Sequence, residues 1–419
     1  MPPDVDQALA VTIREEGGWI VASLARILGD LELAEDAVQD AAVRALDSWP
    51  RNGVPDSPRA WLMVTARRAA IDRVRRENQR SGKERAGADL AGELLAEDDG
   101  LIELVSDSAL RDDRLRLIFT CCHPALALDA QVALALRVLC GLDIPQLASV
   151  LQCSEAAVSK RLTRTRSKIK NAHLPYRVPD DAELTGRLTA VCAVIEAVYT
   201  VAHTQPRGTA LVDVDGRAEA VRLARLVHDL LPDEPTPMAV LALLLFTEAR
   251  QAERTDADGR PVLLADQDRR RWDPAAIARA ETLLALSLRR TDALADRFQL
   301  QAAIAAEHAR APTAADTDWV EIVRLYDLLV GVDPSPAPRL ARAVARAEAY
   351  GPEAGLDALE DVVVDARWHA VRGELLARQG RLDEAIAATR TSLAGDVSVP
   401  EREHRERRIR DWEQALASA

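Results

Sequence analysis

Aromatic residues make up only 3% of this 419-residue chain. Together with a bias towards Ala, Leu, Arg, Glu and Asp, that scarcity disfavours strands and predicts helices almost everywhere. Long apolar runs are missing too: nowhere do about 18 apolar residues follow one another without a charge, so no membrane-spanning helix is expected. The opening Met1-Pro2-Pro3-Asp4 lacks the basic-then-apolar order of a signal peptide, and a cytoplasmic location is expected. Cysteine is sparse and odd in number, five in all (Cys121, Cys122, Cys140, Cys153, Cys192), with no framework spacing. Reduced, mostly buried thiols are the expectation. No P-loop, dinucleotide fingerprint or Ser/His/Asp set occurs and the seven histidines are scattered, so no enzyme activity, cofactor or metal is assigned. What is present, 48% hydrophobic residues and little low-complexity sequence, suits two or three globular domains.

Charge is unevenly placed. The net charge is -13, yet Arg59 to Arg85 carries nine Lys/Arg against three acids, and Lys160 to Lys170 carries six with no acid. Splitting at residue 173 leaves -3 before and -10 after, so the basic clusters belong to an N-terminal unit. A single charge run is most simply a solvated helix face; two, each beside a helical module, mark a nucleic-acid contact. Between them, residues 86–107 hold seven acids and no Lys or Arg, and read as a linker.

Ile20, Leu24, Ile27 and Leu28 recur at helical spacing before Gly29-Asp30 breaks the pattern, and a second helix is predicted from about Leu33 to Trp49. Pro50, Gly53, Pro55 and Pro58 make a stiff loop over 51–58. From Ala60 to Arg76, Leu62, Ala66, Ala69, Ala70 and Val74 form a buried stripe, with Arg67, Arg68 and Arg75 expected outside. Further on, Ile144 to Leu151 (Leu147, Ala148 and Leu151 inward), the turn Gln152-Cys153-Ser154 and a helix from Glu155 to Lys170 make a helix-turn-helix with Ser154 as N-cap. Val158, Leu162 and Ile169 pack, so Ala157, Lys160, Arg161, Arg164 and Lys168 face outward, suited to a major groove and its phosphates.

Asp30 with Ala34-Glu35-Asp36-Ala37-Val38-Gln39-Asp40, followed by Arg59-Ala60-Trp61-Leu62 through Arg75-Arg76, resembles region 2 of an extracytoplasmic-function (ECF) bacterial sigma factor, and 144–170 resembles region 4. Leu117 to Leu126, Asp256 to Arg260, Asp266 to Arg269, Gln299 to Ala306 and Pro312 to Trp319 resemble the group with a long tetratricopeptide-like C-terminal extension, although Val198 to Thr209 departs from that group's pattern. The resemblance implies an all-α fold: region 2 bundle 1–85, acidic linker 86–107, region 4 helix-turn-helix 108–173, linker 174–185 and extension 186–419. It implies that Glu35, Asp36, Gln39, Asp40 and Arg44 dock on the β′ clamp of core RNA polymerase, whose β flap is a further expected contact. Loop 51–58 with Arg67, Arg68, Arg73, Arg75 and Arg76 would hold the opened minus-ten element, with a flipped base. The second helix of the helix-turn-helix would read the minus-thirty-five element.

In the extension, Asp273-Pro274 and Asp318 with Glu321 read as helix starts, and Gly373, Gly380 and Ala385 have the spacing of small residues in one tetratricopeptide repeat. Arg372 and Thr389 stand where that repeat wants bulky apolar residues. A docking surface for a protein or peptide is expected there. Cys121-Cys122-His123 is read as core packing with a capping histidine, since no second pair follows at ligand spacing. Asp256 to Gly259 is read as a turn, because the calcium-loop register puts Arg254 first and Ala265 twelfth. Gln267 to Trp272 is either an anion clamp or an ion-paired helix junction. Two rivals remain at this stage: a scaffold that has lost DNA reading, and a sensor with Asp258, Asp268 and Arg269 around a pocket.

Overall fold

The structure is a computed structural model that describes residues 5–81, 107–151, 153–172, 174–203, 216–254, 256, 262–292, 294–394 and 399–418. Every regular element among the described residues is helical, as the composition predicts. The expected acidic linker, Asp258 and most of the Asp256 to Arg260 turn fall outside them. Two compact units divide at Leu230.

In the first unit, α1 (Val5–Leu28), α2 (Leu31–Asn52) and α3 (Pro58–Ser81) form the N-terminal bundle. α1 stops where expected, because Gly29 takes φ 64 and returns its N–H to the Ala25 carbonyl. Asp30 then caps α2, its carboxylate accepting from the Glu32 and Leu33 amides. α2 runs through Pro50 to Asn52, three residues beyond the expected end; in the last turn Pro50 forfeits only one bond, and Gly53 at φ 83 closes the helix. The predicted stripe of α3 is buried from Leu62 to Val74, facing Ala34, Ala37, Val38, Ala41, Ala45 and Trp49 of α2. Trp49 and Trp61 meet edge to face at 5.6 Å.

α4 (Asp107–Cys121), α5 (Leu128–Val138), α6 (Ile144–Leu151) and α7 (Glu155–Asn171) follow. α5 is buried on nearly every side, from Gln131 to Leu136 and at Val138. Cys121 and Cys122 are buried, and burial pushes the Cys122 thiol up to about 12. His123 accepts from the Ala125 amide through Nδ1, which makes it a turn cap. α6 buries Leu147 and Val150, while Ala148 and Leu151 lie only half-buried: the core-facing pair is one residue offset from the expected one.

α8 (Asp181–His203) and α9 (Gly216–Leu230) belong to this unit as well, so the extension expected to begin at 186 opens by packing on the sigma-like helices. The reason lies in contacts of the expected linker and of these helices: Tyr176 donates to the Ala22 carbonyl at 2.8 Å, Arg187 donates to the Phe119 carbonyl, and Arg222 donates to the Leu139 carbonyl at 2.8 Å. Residues 181–201 have the length and hydropathy of a membrane span, but Leu188, Val191, Cys192, Val194, Ile195 and Val198 are spent on this packing.

The second unit holds α10 (Pro235–Ala249), α11 (Pro274–Arg289), α12 (Arg297–Arg310), α13 (Trp319–Val332), α14 (Pro336–Tyr350), α15 (Pro352–Ala358), α16 (Ala366–Arg378), α17 (Leu382–Ser392) and α18 (Val399–Ser418). Asp273 caps α11 as expected, accepting from Ala275 and Ala276. Asp318 caps α13 through the Glu321 amide, but the Glu321 side chain turns to Arg324 at 3.1 Å and leaves the box half-built. A complete reciprocal box forms instead at Asp296 and Gln299. The repeat-like glycines work through closeness: a Cβ on Gly373 would run into the Thr389 side chain, which explains a small polar residue where a bulky one was expected. Arg372 lays its guanidinium 5.8 Å from the Trp368 ring.

Candidate nucleic-acid interface

Ser154 fixes the start of α7. In extended conformation at φ -70 and ψ 150, it accepts from the Ala157 amide at 3.2 Å. Val158, Leu162 and Thr165 then form the buried side, with Ile169 half-buried. On the other side Ala157, Lys160, Arg164 and Lys168 are exposed. Thr163, Arg164, Ser167, Lys168 and Asn171 line an open depression along the C-terminal half, with Lys168 reaching the Ala125 carbonyl. Arg161 is half-buried and pairs with Asp129 at 3.4 Å, so its outward placement holds only in part.

On α3, Arg68, Arg75 and Arg76 are exposed, and Arg76 donates to the Asp72 carbonyl at 3.1 Å. Arg67 departs from expectation: it is 6% exposed. It precedes Ile71 by four residues and Val74 by seven, both buried, so it stands on the packing side of the helix. Arg73 is half-buried and spans two acids of α2, 2.6 Å from Asp36 and 4.0 Å from Asp40.

That contact joins two sets of residues that the sequence kept apart, the candidate minus-ten arginines and the candidate polymerase-docking acids. Of the docking set, Gln39 and Arg44 are exposed, and Asp36 and Asp40 are half-buried under Arg73. Glu35 is buried at 5%, contrary to its expected place on an exposed docking face. The side chain of Arg166 on α7 grips it with two parallel bonds, Nε at 3.0 Å and a terminal nitrogen at 2.9 Å, and Arg137 of α5 stands 3.8 Å away. Burial pushes the Glu35 carboxyl above the usual carboxylate range, against the downward pull of Arg166 and Arg137. Beside it, Lys170 of α7 reaches Asp30 at 3.0 Å. Burial would raise the Asp30 carboxyl too, but the Lys170 bond and the two cap amides outweigh it, and it lies below its ordinary value.

Arg137 and Arg166 are the residues that sequence reasoning missed. Arg166 was visible as one of six charges on its helix, but its partner is 131 residues away and no local pattern marks it. In the second unit, the arginines of Gln267 to Trp272 are all engaged. Arg269 donates to the His308 and Ala311 carbonyls and to the Thr317 hydroxyl at 2.8, 3.0 and 2.9 Å, while Arg270 pairs with Asp268 and Arg271 with Glu253. The segment is a helix junction. No cluster of three or more His, Cys, Asp or Glu side chains fit to hold a metal occurs among the described residues.

A helical bundle with exposed arginines, followed by a capped helix-turn-helix with an exposed basic face, defines a sigma-type promoter-recognition subunit. Residues 12–80 match the model of sigma-70 region 2 and residues 116–169 that of sigma-70 region 4. Over 173 residues, 40% of this chain and 83% of the relative, the sequence is 30% identical to the ECF RNA polymerase sigma factor SigK of Mycobacterium sp. (strain KMS). The chain belongs to the ECF sigma factors. It is also 29% identical over 163 residues, 38% of this chain and 77% of the relative, to a probable RNA polymerase sigma-C factor of Mycobacterium bovis (strain ATCC BAA-935 / AF2122/97). An uncharacterized protein of Rhizobium meliloti (strain 1021) is 39% identical over 378 residues, 89% of this chain and 88% of its own length. Residues 187–288 match a family of unknown function, DUF6596, which starts in the first unit and ends in the second. No solved structure matches the chain.

Proposed function

We propose that this protein initiates transcription by binding core RNA polymerase and directing it to particular promoters through two basic helical surfaces. The observation that carries the assignment of residues is the exposed side of α7, with Ala157, Lys160, Arg164 and Lys168 free of the core on a helix that Ser154 and Val158 hold in place. Its N-terminal half suits base edges and its C-terminal half suits phosphates. Arg68, Arg75 and Arg76 of α3 supply the minus-ten contacts; Arg73 supplies one only by giving up Asp36 and Asp40. Gln39, Asp40 and Arg44 are the docking residues for the β′ clamp. The role is recognition without catalysis, in the cytoplasm, where polymerase and chromosome are found. The second unit is a docking surface for a protein partner and acts on the activity of the first.

Run-off transcription with purified core polymerase on a genomic promoter library tests this reading, comparing the full chain with residues 1–230. Start sites common to both and absent with core enzyme alone are expected. Transcription no different from that of core enzyme alone would defeat it.

A further inference from the structure

The surface between the two sigma modules is polar. Glu35 is held by Arg166 and Arg137, Asp30 by Lys170, and Asp113 of α4 accepts from Ser23 at 3.2 Å and pairs with Arg26 at 3.3 Å on α1. Each bond runs from the region 2 bundle to a helix of the region 4 module. We infer that these contacts are a latch: they hold the sigma modules in a closed conformation that must open before one molecule can occupy both promoter elements. The inference rests on the sigma reading above.

Distance carries the argument. The minus-ten and minus-thirty-five elements are separated by about 25 base pairs, or roughly 85 Å at about 3.4 Å per pair. In the closed unit, Arg73 is bonded to Asp36 and Arg166 to Glu35, adjacent residues of α2. Arg75 and Arg164, each two positions from those anchors, therefore lie within roughly 50 Å of one another even with every link drawn straight. The outer face of α7 is open, so the closed form can touch one element. It cannot bridge two along a straight duplex. The sequence allows the separation, because 25 residues lie between α3 and α4, enough for roughly 80–90 Å when extended.

The chemistry of the surface suits a contact that is made and broken. A buried ion pair adds little net stability, since the attraction mostly repays desolvation of the two charges, and opening returns both to water. Removing one partner is another matter. Arg166→Ala would strand Glu35 in the closed form with only the more distant Arg137, while the open form would lose nothing. The variant is thus a one-sided push towards opening.

Spin labels at Val11 on α1 and Leu128 on α5, both exposed and outside the candidate contact surfaces, read the distance between modules in the full chain carrying Cys153→Ser. The free protein is expected to give one short distance, which moves out by tens of ångströms in the promoter-bound holoenzyme. In the free Arg166→Ala variant a long-distance population should appear. A long distance in the free wild-type chain, or a short one retained in a holoenzyme that transcribes, would overturn the latch while leaving the sigma reading intact. The wild-type comparison decides the matter even if the variant folds poorly. Failure of the labelled chain to transcribe at all would instead sink the sigma reading and the latch with it.

Discussion

His308 shows what one buried side chain can do to the second unit. Burial, with Arg250 and Arg269 adding repulsion, lowers its pKa from 6.5 to about 4, and the ring stacks edge-on to Trp319 at 5.2 Å. A histidine whose folded pKa is depressed binds its proton more readily in the unfolded chain. Stability is therefore whole above about 6.5 and lost as pH falls towards 4, by roughly 3 kcal/mol at most at about 1.4 kcal/mol per pH unit. Thermal melts between pH 7 and 4.5 should show the second unit weakening, with a shallower slope in His308→Phe; equal slopes would remove His308 as the cause. The thiols give a second residue-level expectation. Cys121, Cys122, Cys140 and Cys192 are buried, and burial pushes Cys140 up to about 12, whereas Cys153 is half-exposed. A native-state maleimide pulse read by mass spectrometry should label Cys153 alone. Of single residues, the sequence told most about those whose fate is set by neighbours within a turn or two, such as Ser154 and Asp273. The burial of Arg67 was equally legible in its spacing to Ile71 and Val74, but counting it as a charge hid its place on the helix.

At the level of the helix, α7 and the α14–α15 pair make opposite kinds of claim. Lys160→Ala and Arg164→Ala remove exposed charges, so each should leave the fold intact and lower the salt dependence of promoter binding by about one counterion. If Arg164 also makes a bidentate base contact, discrimination at that base should fall by about 1–3 kcal/mol. Arg161→Ala should do less, because Asp129 already holds that side chain. Filter binding across a salt series separates the cases, and three identical slopes would disprove the assignment of the outer face. Gly355 tests packing. A Cβ there would sit 2.6 Å from the Ala347 Cβ and 3.0 Å from the Ala343 carbonyl oxygen. Alanine gains up to about 1 kcal/mol in helix propensity, but overpacking of about 1–3 kcal/mol outweighs it, so Gly355→Ala should lower the melting temperature. Helices and their buried stripes were readable because their periodicity is local. The pairing of α2 with α7 was not, since it depends on which surfaces meet across more than a hundred intervening residues.

For the molecule as a whole, charge balance pointed to a boundary near residue 173, and packing puts it at Leu230. Charge counts cannot see that Arg187 and Arg222 reach back to carbonyls of α4 and of the residue after α5. Residues 1–230 should accordingly melt cooperatively on their own, whereas residues 1–178 lose α8 and α9, uncover apolar side chains beneath them, and should bind a hydrophobic dye or aggregate. Calorimetry and dye binding on the two truncations check this; equal behaviour would show that α8 and α9 are not part of the first unit's core. The distance along the chain between Glu35 and Arg166, 131 residues, also has a meaning in time. At roughly 5–20 residues per second, a ribosome makes α2 about 7–26 s before it makes the arginine that will close over it. Throughout that interval each nascent chain presents its N-terminal bundle unpaired, and the order of synthesis decides whether Glu35 first meets a partner protein or its own C-terminal neighbour.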